Sequence, residues 1–300
     1  MSGSISRADW ARMLVPAVNT VLGDSYADYP EVYKQVFDVR QSDQAVEELL
    51  VMSGIGLLEA VAEGGSISND RMRQLYSINF AHAKYGKMLS ITQEMLDDGK
   101  AVKILEKQAR ALKRAAMETK NKVAIDILNN STATTGADGV ALISTAHPSS
   151  AGNQSNRLAV DADLSEAAIE QAYIEMADIR DDRGVRIQVM PKKLIVPRAL
   201  CFEAARILES DGRVSTSDND INALKMKKII SEVVIVDHLT DVDAYHFITN
   251  VDDGLIMFER KALGVDSEPH FAHDAIQFRA LMRFSVGWGD WRGVFGSPGA

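Results

Sequence analysis

Residues Asp97–Asn130 read DDGKAVKILEKQARALKRAAMETKNKVAIDILNN, and the rest of the chain is organised around them. Leu105, Ala109, Leu112, Ala116, Val123 and Ile127 recur at steps of three, four and seven, which draws one stripe along a helix. Lys103, Glu106, Lys107, Arg110, Lys113, Arg114, Glu118, Lys120 and Lys122 fill the positions between them and read as a solvated face. Gly99 and the polar run after Asn129 mark the ends. About 30 helical residues rise roughly 45 Å. Such a rod packs its stripe against a sheet or another helix.

Upstream lies an unusual stretch. Val32 to Arg40 reads as a strand, and from Arg73 an alternation of Tyr76, Ile78 and Phe80 against Ser77, Asn79 and Ala81 reads as another. Between them residues 53–71 are rich in Gly and small polar types. A two-stranded ribbon has too little core to stand alone, so it is expected to lie on a neighbouring subunit. Residues 1–31 read as an arm, with a Ser6–Asp9 capping signal and Trp10, Leu14 and Val18 on one face that Pro16 interrupts. Ser90 to Asp98 reads as a short capped helix feeding the long one.

Downstream, Asn129 to Ala159 is loose in composition, with one strand-like run from Val140 to Ile143. Residues 163–262 then read as an α/β unit. Ser165 caps a helix that carries Ile169, Ala172, Tyr173, Met176 and Ile179 and stops at Gly184. Val185, Ile187 and Val189 alternate as a strand, and Leu194-Ile195-Val196 is a buried strand before a helix opened by Pro197. Val233–Val236, Tyr245–Thr249 and Leu255–Phe258 are further strands. Ile276, Phe278, Ala280, Met282, Phe284, Val286 and Trp288 then alternate through one long strand, a partner for the helix stripe.

The composition excludes several classes. The 300 residues are 46% hydrophobic, enough for a sizeable core, and the net charge of −9 argues against a general nucleic-acid binder. Cys201 is the single cysteine, so neither an internal disulfide nor a cysteine-based zinc site is available, which fits a reducing cytoplasm. No run of about 18 apolar residues marks a membrane span, and the first residues lack a signal-peptide core. Gly54-Ile55-Gly56 has Glu59 where a dinucleotide fingerprint needs its third glycine, and no phosphate-loop or nucleophile-elbow motif occurs, so no cofactor is expected.

Three histidine groups are candidates for chemistry. His270 and His273 would share a face if helical and could hold a metal for a hydrolase, although Pro269 favours a turn. His238 and His246 stand among Asp237, Asp241 and Asp243, which read as turn residues. His147 lies near Ser144 and Thr145, but nothing specifies the third group that a nucleophile pair needs. The plain reading of each is a turn, cap or surface residue.

The order of segments resembles the HK97-type major capsid proteins of tailed bacteriophages, most nearly the Mu-like head-subunit branch. Gly64-Gly65, Tyr85-Gly86 and Ser90 to Asp98 resemble that family's ribbon leading into its spine helix. Leu142 to Pro148 with Gly152 and Asn156 is similar to a recurring segment after that helix. Pro191, Leu194 to Pro197 and Ala204 to Ser210, and then Val236 to Asp241, resemble steps of its α/β part.

The resemblance implies an α+β fold: an N-terminal arm (1–31), an extended β-ribbon or E-loop (32–90), a P-domain (91–162 plus 271–300, spine helix about 97–130) and an α/β A-domain (163–270). It implies a structural protein without enzymatic activity. Copies would close as hexamers and pentamers into an icosahedral shell around double-stranded DNA held without sequence-specific contacts. Assembly would take place in the bacterial host cytoplasm, with a separate scaffolding protein and a portal. The expected contacts with a neighbour are Gly54, Gly56, Gly64, Gly65, Arg71 and Arg73 on the ribbon and Trp10 on the arm. The alternatives are an encapsulin-like nanocompartment shell and the metal-dependent hydrolase at His270/His273.

Overall fold

The computed structural model describes residues 29–92, 94, 101–150, 152–212, 221–270 and 275–300. The arm residues before Tyr29, Trp10 among them, lie outside the described residues, as do Asp97, Asp98, Gly99 and His273.

The long helix is present as α2, once the short helix α1 (Val32–Val36) has been counted; α2 runs Ala101–Asn129, about 43 Å. Its buried positions are Ala109, Leu112, Lys113, Ala116, Met117, Lys120, Asn121, Ala124, Ile125 and Leu128, spaced by threes and ones. Val123 and Ile127 pack at the margin of this face, and the side chain of Leu105 lies outside the described residues. The buried face is therefore broader than the predicted stripe and rotated from it. Two lysines expected in solvent are inside: Lys120 pairs with the Glu259 carboxylate, and Lys113 is buried two turns earlier on the same face of the helix. The aliphatic stem of a lysine covers apolar surface, and the charge is tolerated once it is paired.

Val32 to Arg40 is not one strand. α1 buries Tyr33 and Val36, three residues apart, against α2, and strand β1 (Asp38–Gln41) follows. Asn121 of α2 fixes this entry: its Oδ1 accepts the Tyr33 N–H at 3.2 Å and its Nδ2 donates to the Pro30 carbonyl at 3.2 Å. The ribbon is built from β2 (Val46–Met52) and β3 (Gln74–Ala81) in antiparallel register, Leu49 opposite Ile78. Ser90 to Thr92 do not cap a helix; they end strand β4 (Ala83–Thr92).

Beyond α2, helix α3 (Glu166–Met176) begins where expected, with Ser165 Oγ accepting the Ala168 N–H at 3.2 Å. It ends at Met176, well before Gly184, which sits at positive φ in a separate turn. β5 (Pro191–Val196) is fully inside its sheet; a 3-10 turn then leads into α4 (Cys201–Glu209), and α5 (Ala223–Lys227) follows. β6 (Glu232–Ile235) and β7 (Tyr245–Thr249) match the expected strands. β8 (Leu255–His270) extends far past Phe258, β9 (Ala275–Trp288) realises the long alternation, and β10 (Val294–Ser297) closes the chain. Val185 to Val189 form no strand; Ile187 N–H bonds Ile179 O, and Val189 is simply buried.

Among the described residues there are two four-stranded sheets, β1-β8-β9-β4 and β10-β7-β5-β6. β8 and β9 form the long antiparallel hairpin, β4 pairs with β9 from Ala83–Phe284 to Thr92–Ala275, and β1 lies parallel to β8. α2 crosses β9 and β4, and Phe284 and Met282 join Ala116, Ala124 and Ile125 in one core with the second sheet's Leu194, Ile195 and Phe247. Tyr85 stacks on Phe284 across the β4–β9 pair, with ring centroids 4.6 Å apart. One continuous core thus ties the helix to both sheets.

Candidate assembly interface

The ribbon divides into a root and a tip. The root packs on its own chain, contrary to the expectation that the whole ribbon rests on a neighbour. Phe80 is buried with Ile256 and Phe258 of β8, the two rings meeting edge-on at 5.0 Å, and Leu49 and Ile78 pack beside them. Close approach requires Gly287 in β9 beneath Phe80: a Cβ there would stand 2.6 Å from the Phe80 ring. At the same level Ser42 Oγ and Ser285 Oγ each lie 3.0 Å from a ring nitrogen of His82, between β3 and β4. Burial lowers the pKa of His82 from its ordinary value.

Past Met52 the strands part. Ser53 N–H donates to Arg73 O at 2.7 Å and Ser53 Oγ accepts the Arg73 N–H at 2.9 Å, which closes the ladder. Residues 54–73 carry no strand. Gly64 and Gly65 form the outer turn, with Gly64 at φ +79 and Gly65 N–H bonded to Ala62 O at 2.8 Å. Leu58 is 98% exposed, Ile67 84% and Leu57 78%, with Ile55 and Met72 also exposed. So many large apolar side chains in water within one short stretch mark a surface that association would cover.

The polar side of the tip is held on the turn that follows α3. Gly54 N–H donates to Asp182 Oδ1 at 2.8 Å. Arg183 Nη1 lies 2.7 and 2.6 Å from the two Asp70 oxygens, and its Nη2 donates to Arg71 O at 2.8 Å. The Asp70 carboxylate also accepts the Gly56 and Arg71 N–H groups, at 2.9 and 2.8 Å. These bonds, the Gly56 amide first and Arg183 next, pull the Asp70 pKa down to about 2. Of the residues expected at a neighbour contact, Gly54, Gly56 and Arg71 are therefore brought together on this clamp, Arg73 closes the ladder and Gly64 and Gly65 stand apart at the outer turn. Asp70, Asp182 and Arg183 were not singled out from sequence. Their pairing spans over a hundred residues, and only the Asp181-Asp182-Arg183-Gly184 turn composition hinted at a fixed loop.

The histidine groups do other work. His147 is fully buried; its Nδ1 lies 2.6 Å from Asp138 Oδ2 and its Nε2 3.1 Å from Asn156 Oδ1. Asn156 Nδ2 faces the carbonyls of Leu142, Trp291 and Val294 at 2.7, 3.1 and 2.9 Å, so its Oδ1 is the accepting end. The same Oδ1 takes the Ser144 N–H at 2.9 Å, and the His147 ring stacks on Trp291 at 4.1 Å. The nitrogen that a serine nucleophile would need is thus committed to Asn156, and the group is a buried tie between the 131–158 segment and the C-terminal strand. Val140 to Ile143 are not a strand; Leu142 and Ile143 are buried in this tie.

His238 Nε2 pairs with Glu118 at 2.8 Å, whereas His246 is buried near Ser131, and burial lowers its pKa to about 4. Asp241 and Asp243 form a turn, Asp241 Oδ1 accepting the Asp243 N–H at 3.1 Å. His270 ends β8 opposite Ala275 rather than lying on a helix. Among the described residues no three His, Cys, Asp or Glu are grouped to hold a metal, and no helix is long and apolar enough to cross a membrane.

Comparison with known proteins agrees with this architecture. No curated protein sequence matches the chain. Solved structures with the same fold include the virus-like particle of Pyrococcus furiosus, at 12% identity and TM-score 0.54, covering 96% of this chain and 99% of that one. The procapsid of bacteriophage JBD30 matches at 15% identity and TM-score 0.54, over 98% of this chain and 76% of that one. Mycobacterium phage Patience matches at 11% identity and TM-score 0.56, over 99% and 89%. The fold is of the HK97 type. The family model of the phage capsid protein matches residues 76–296, which takes in α2, both four-stranded sheets apart from β1, and the Asn156 tie. The chain belongs to the phage capsid protein family and is a major capsid subunit, a structural protein of the virion shell.

Proposed function

We propose that copies of this subunit close into an icosahedral shell of hexamers and pentamers around double-stranded DNA, with the ribbon tip of each lying on its neighbour. The observation that carries the reading is the contrast in burial. The body has a large core that joins the helix to both sheets, while Leu57, Leu58 and Ile67 stand in water on a segment that carries no strand. Heterologous contacts of this kind close by symmetry, and modest contacts repeated around a shell add up through multivalency.

The proposed division is an arm (1–31), an E-loop (32–90), a P-domain (91–162 plus 271–300) around α2, and an A-domain (163–270). Gly54, Gly56, Gly64, Gly65, Arg71, Arg73 and Trp10 belong to the contact zone. The net charge of −9 suits a wall that does not grip the packaged DNA. A scaffolding protein and a portal act as separate chains, and assembly takes place in the bacterial cytoplasm. The likeness to an archaeal virus-like particle supports a second reading, a nanocompartment shell with protein cargo. Copurifying nucleic acid favours the first reading, and copurifying protein cargo the second.

Deletion of residues 54–70 tests the reading. The variant is expected to keep the far-UV spectrum and cooperative unfolding of the full chain while forming no shells in negative-stain micrographs. Shells of normal size from the deletion variant would overturn it.

A further inference from the structure

The tip has two sides with different fates in the single chain. Its polar side is docked: Gly54 N–H on Asp182, Asp70 on the Arg183 fork, and Arg71 O on the same guanidinium. Its apolar side is left outward, with Leu58 almost wholly in solvent. The junction is built for close approach, since a Cβ on Gly54 would stand 2.5 Å from Asp181 Oδ2. Inside the tip, Asp70 gathers the Gly56 and Arg71 amides and so ties the outgoing strand to the returning one. A loop of this length pays a large ordering cost if it is free until it meets a partner.

We infer that the Asp70–Arg183 clamp is a positioning device that fixes the tip on its own body and presents Leu57, Leu58 and Ile67 outward to a second copy of the chain. This rests on the assembly reading above and adds the cis contact that prepares the tip. Arg183 acts through the tip and does not itself supply the apolar contact. A guanidinium suits the task because its Nη1 meets both carboxylate oxygens while its Nη2, fixed in the same plane, reaches the Arg71 carbonyl, whereas an ammonium would have to serve all three acceptors from one nitrogen. Exposed ion pairs are individually weak, so the clamp orders the tip without adding much to the stability of the body.

The test uses the full chain with R183A, R183K, D70N and the charge swap D70R/R183D. In unassembled subunits, amide exchange at Gly54, Gly56 and Arg71 is expected to speed up in R183A and D70N while the global unfolding midpoint stays put. Shell formation followed by light scattering is expected to slow about fivefold in R183A, less in R183K, and to recover most of its rate in the swap. Assembly of R183A at the wild-type rate or faster overturns the inference, a faster rate meaning that the clamp restrains the tip. So does unchanged amide exchange. If the wild-type chain forms no shell even with scaffolding protein supplied, the assembly reading fails, and the exchange measurement alone still decides the clamp.

Discussion

Two stretches of this chain both read as loose, strand-poor segments and have opposite physical states. Residues 53–71 are rich in Gly and Ser, and residues 129–159 in Gly, Ser, Thr and Asn. The second is cemented into the body. Asn156 alone meets three carbonyls, one amide and a histidine, and Leu142, Ile143 and His147 are buried around it. Beyond Ser53 and Gly54 the first is held by solvated contacts, and its largest apolar side chains face water. What separates them is where the polar groups find partners. A buried polar group must be satisfied, so it fixes whatever it touches; an exposed one competes with water and leaves its segment free to serve another chain.

The comparison breaks first at Asn156. Asn156→Ala strands several buried backbone groups at once, and a loss of about 4 kcal/mol in urea unfolding is expected. A loss under about 1 kcal/mol would show that the segment is no more fixed than the ribbon tip. Acid gives the next largest effect and acts on the body, not the tip. His246 is a base whose folded pKa, about 4, lies below its ordinary 6.5 because of burial. The unfolded chain therefore binds the extra proton first, and stability is full above about pH 6.5 and falls as pH drops toward 4, by up to about 3 kcal/mol. Unfolding curves between pH 7 and 4 should show this slope in the wild type and a shallower one in His246→Gln. Asp70 has the same sign of dependence in a much lower window: its contribution is present above its ordinary value and is lost as pH falls through about 2. The clamp is thus expected to outlast the buried histidine as pH falls. The smallest effect on stability belongs to the tip, where Leu57→Ser, Leu58→Ser and Ile67→Ser together should move the unfolding free energy by less than about 0.5 kcal/mol.

Periodic elements were legible in the residues and long-range polar ties were not. The alternation of Ile276 through Val286 predicts β9, and Ser165 predicts the start of α3, because strand pleat and helix cap are local geometries. Val185, Ile187 and Val189 show the same alternation but find no partner strand, so they stay irregular. Lys113 and Lys120 read as a solvated face, yet α2 is long enough to be covered on a wide side, and Glu259 on β8 neutralises Lys120. The ribbon tip was legible as a segment that its own core could not claim, but the root was not. Phe80 needs Gly287, two hundred residues away, before its burial makes sense. The Asp138–His147–Asn156–Trp291 tie and the Asp70–Arg183 clamp fail to show for the same reason: each closes only when distant turns meet.

The most direct measurement is negative-stain microscopy of the purified full chain beside its Leu57→Ser/Leu58→Ser/Ile67→Ser variant at equal concentration, each with scaffolding protein supplied. The account predicts closed shells from the first and only folded, dispersed subunits from the second. Shells of equal number and size from both would contradict the claim that the ribbon tip is what joins one subunit to the next.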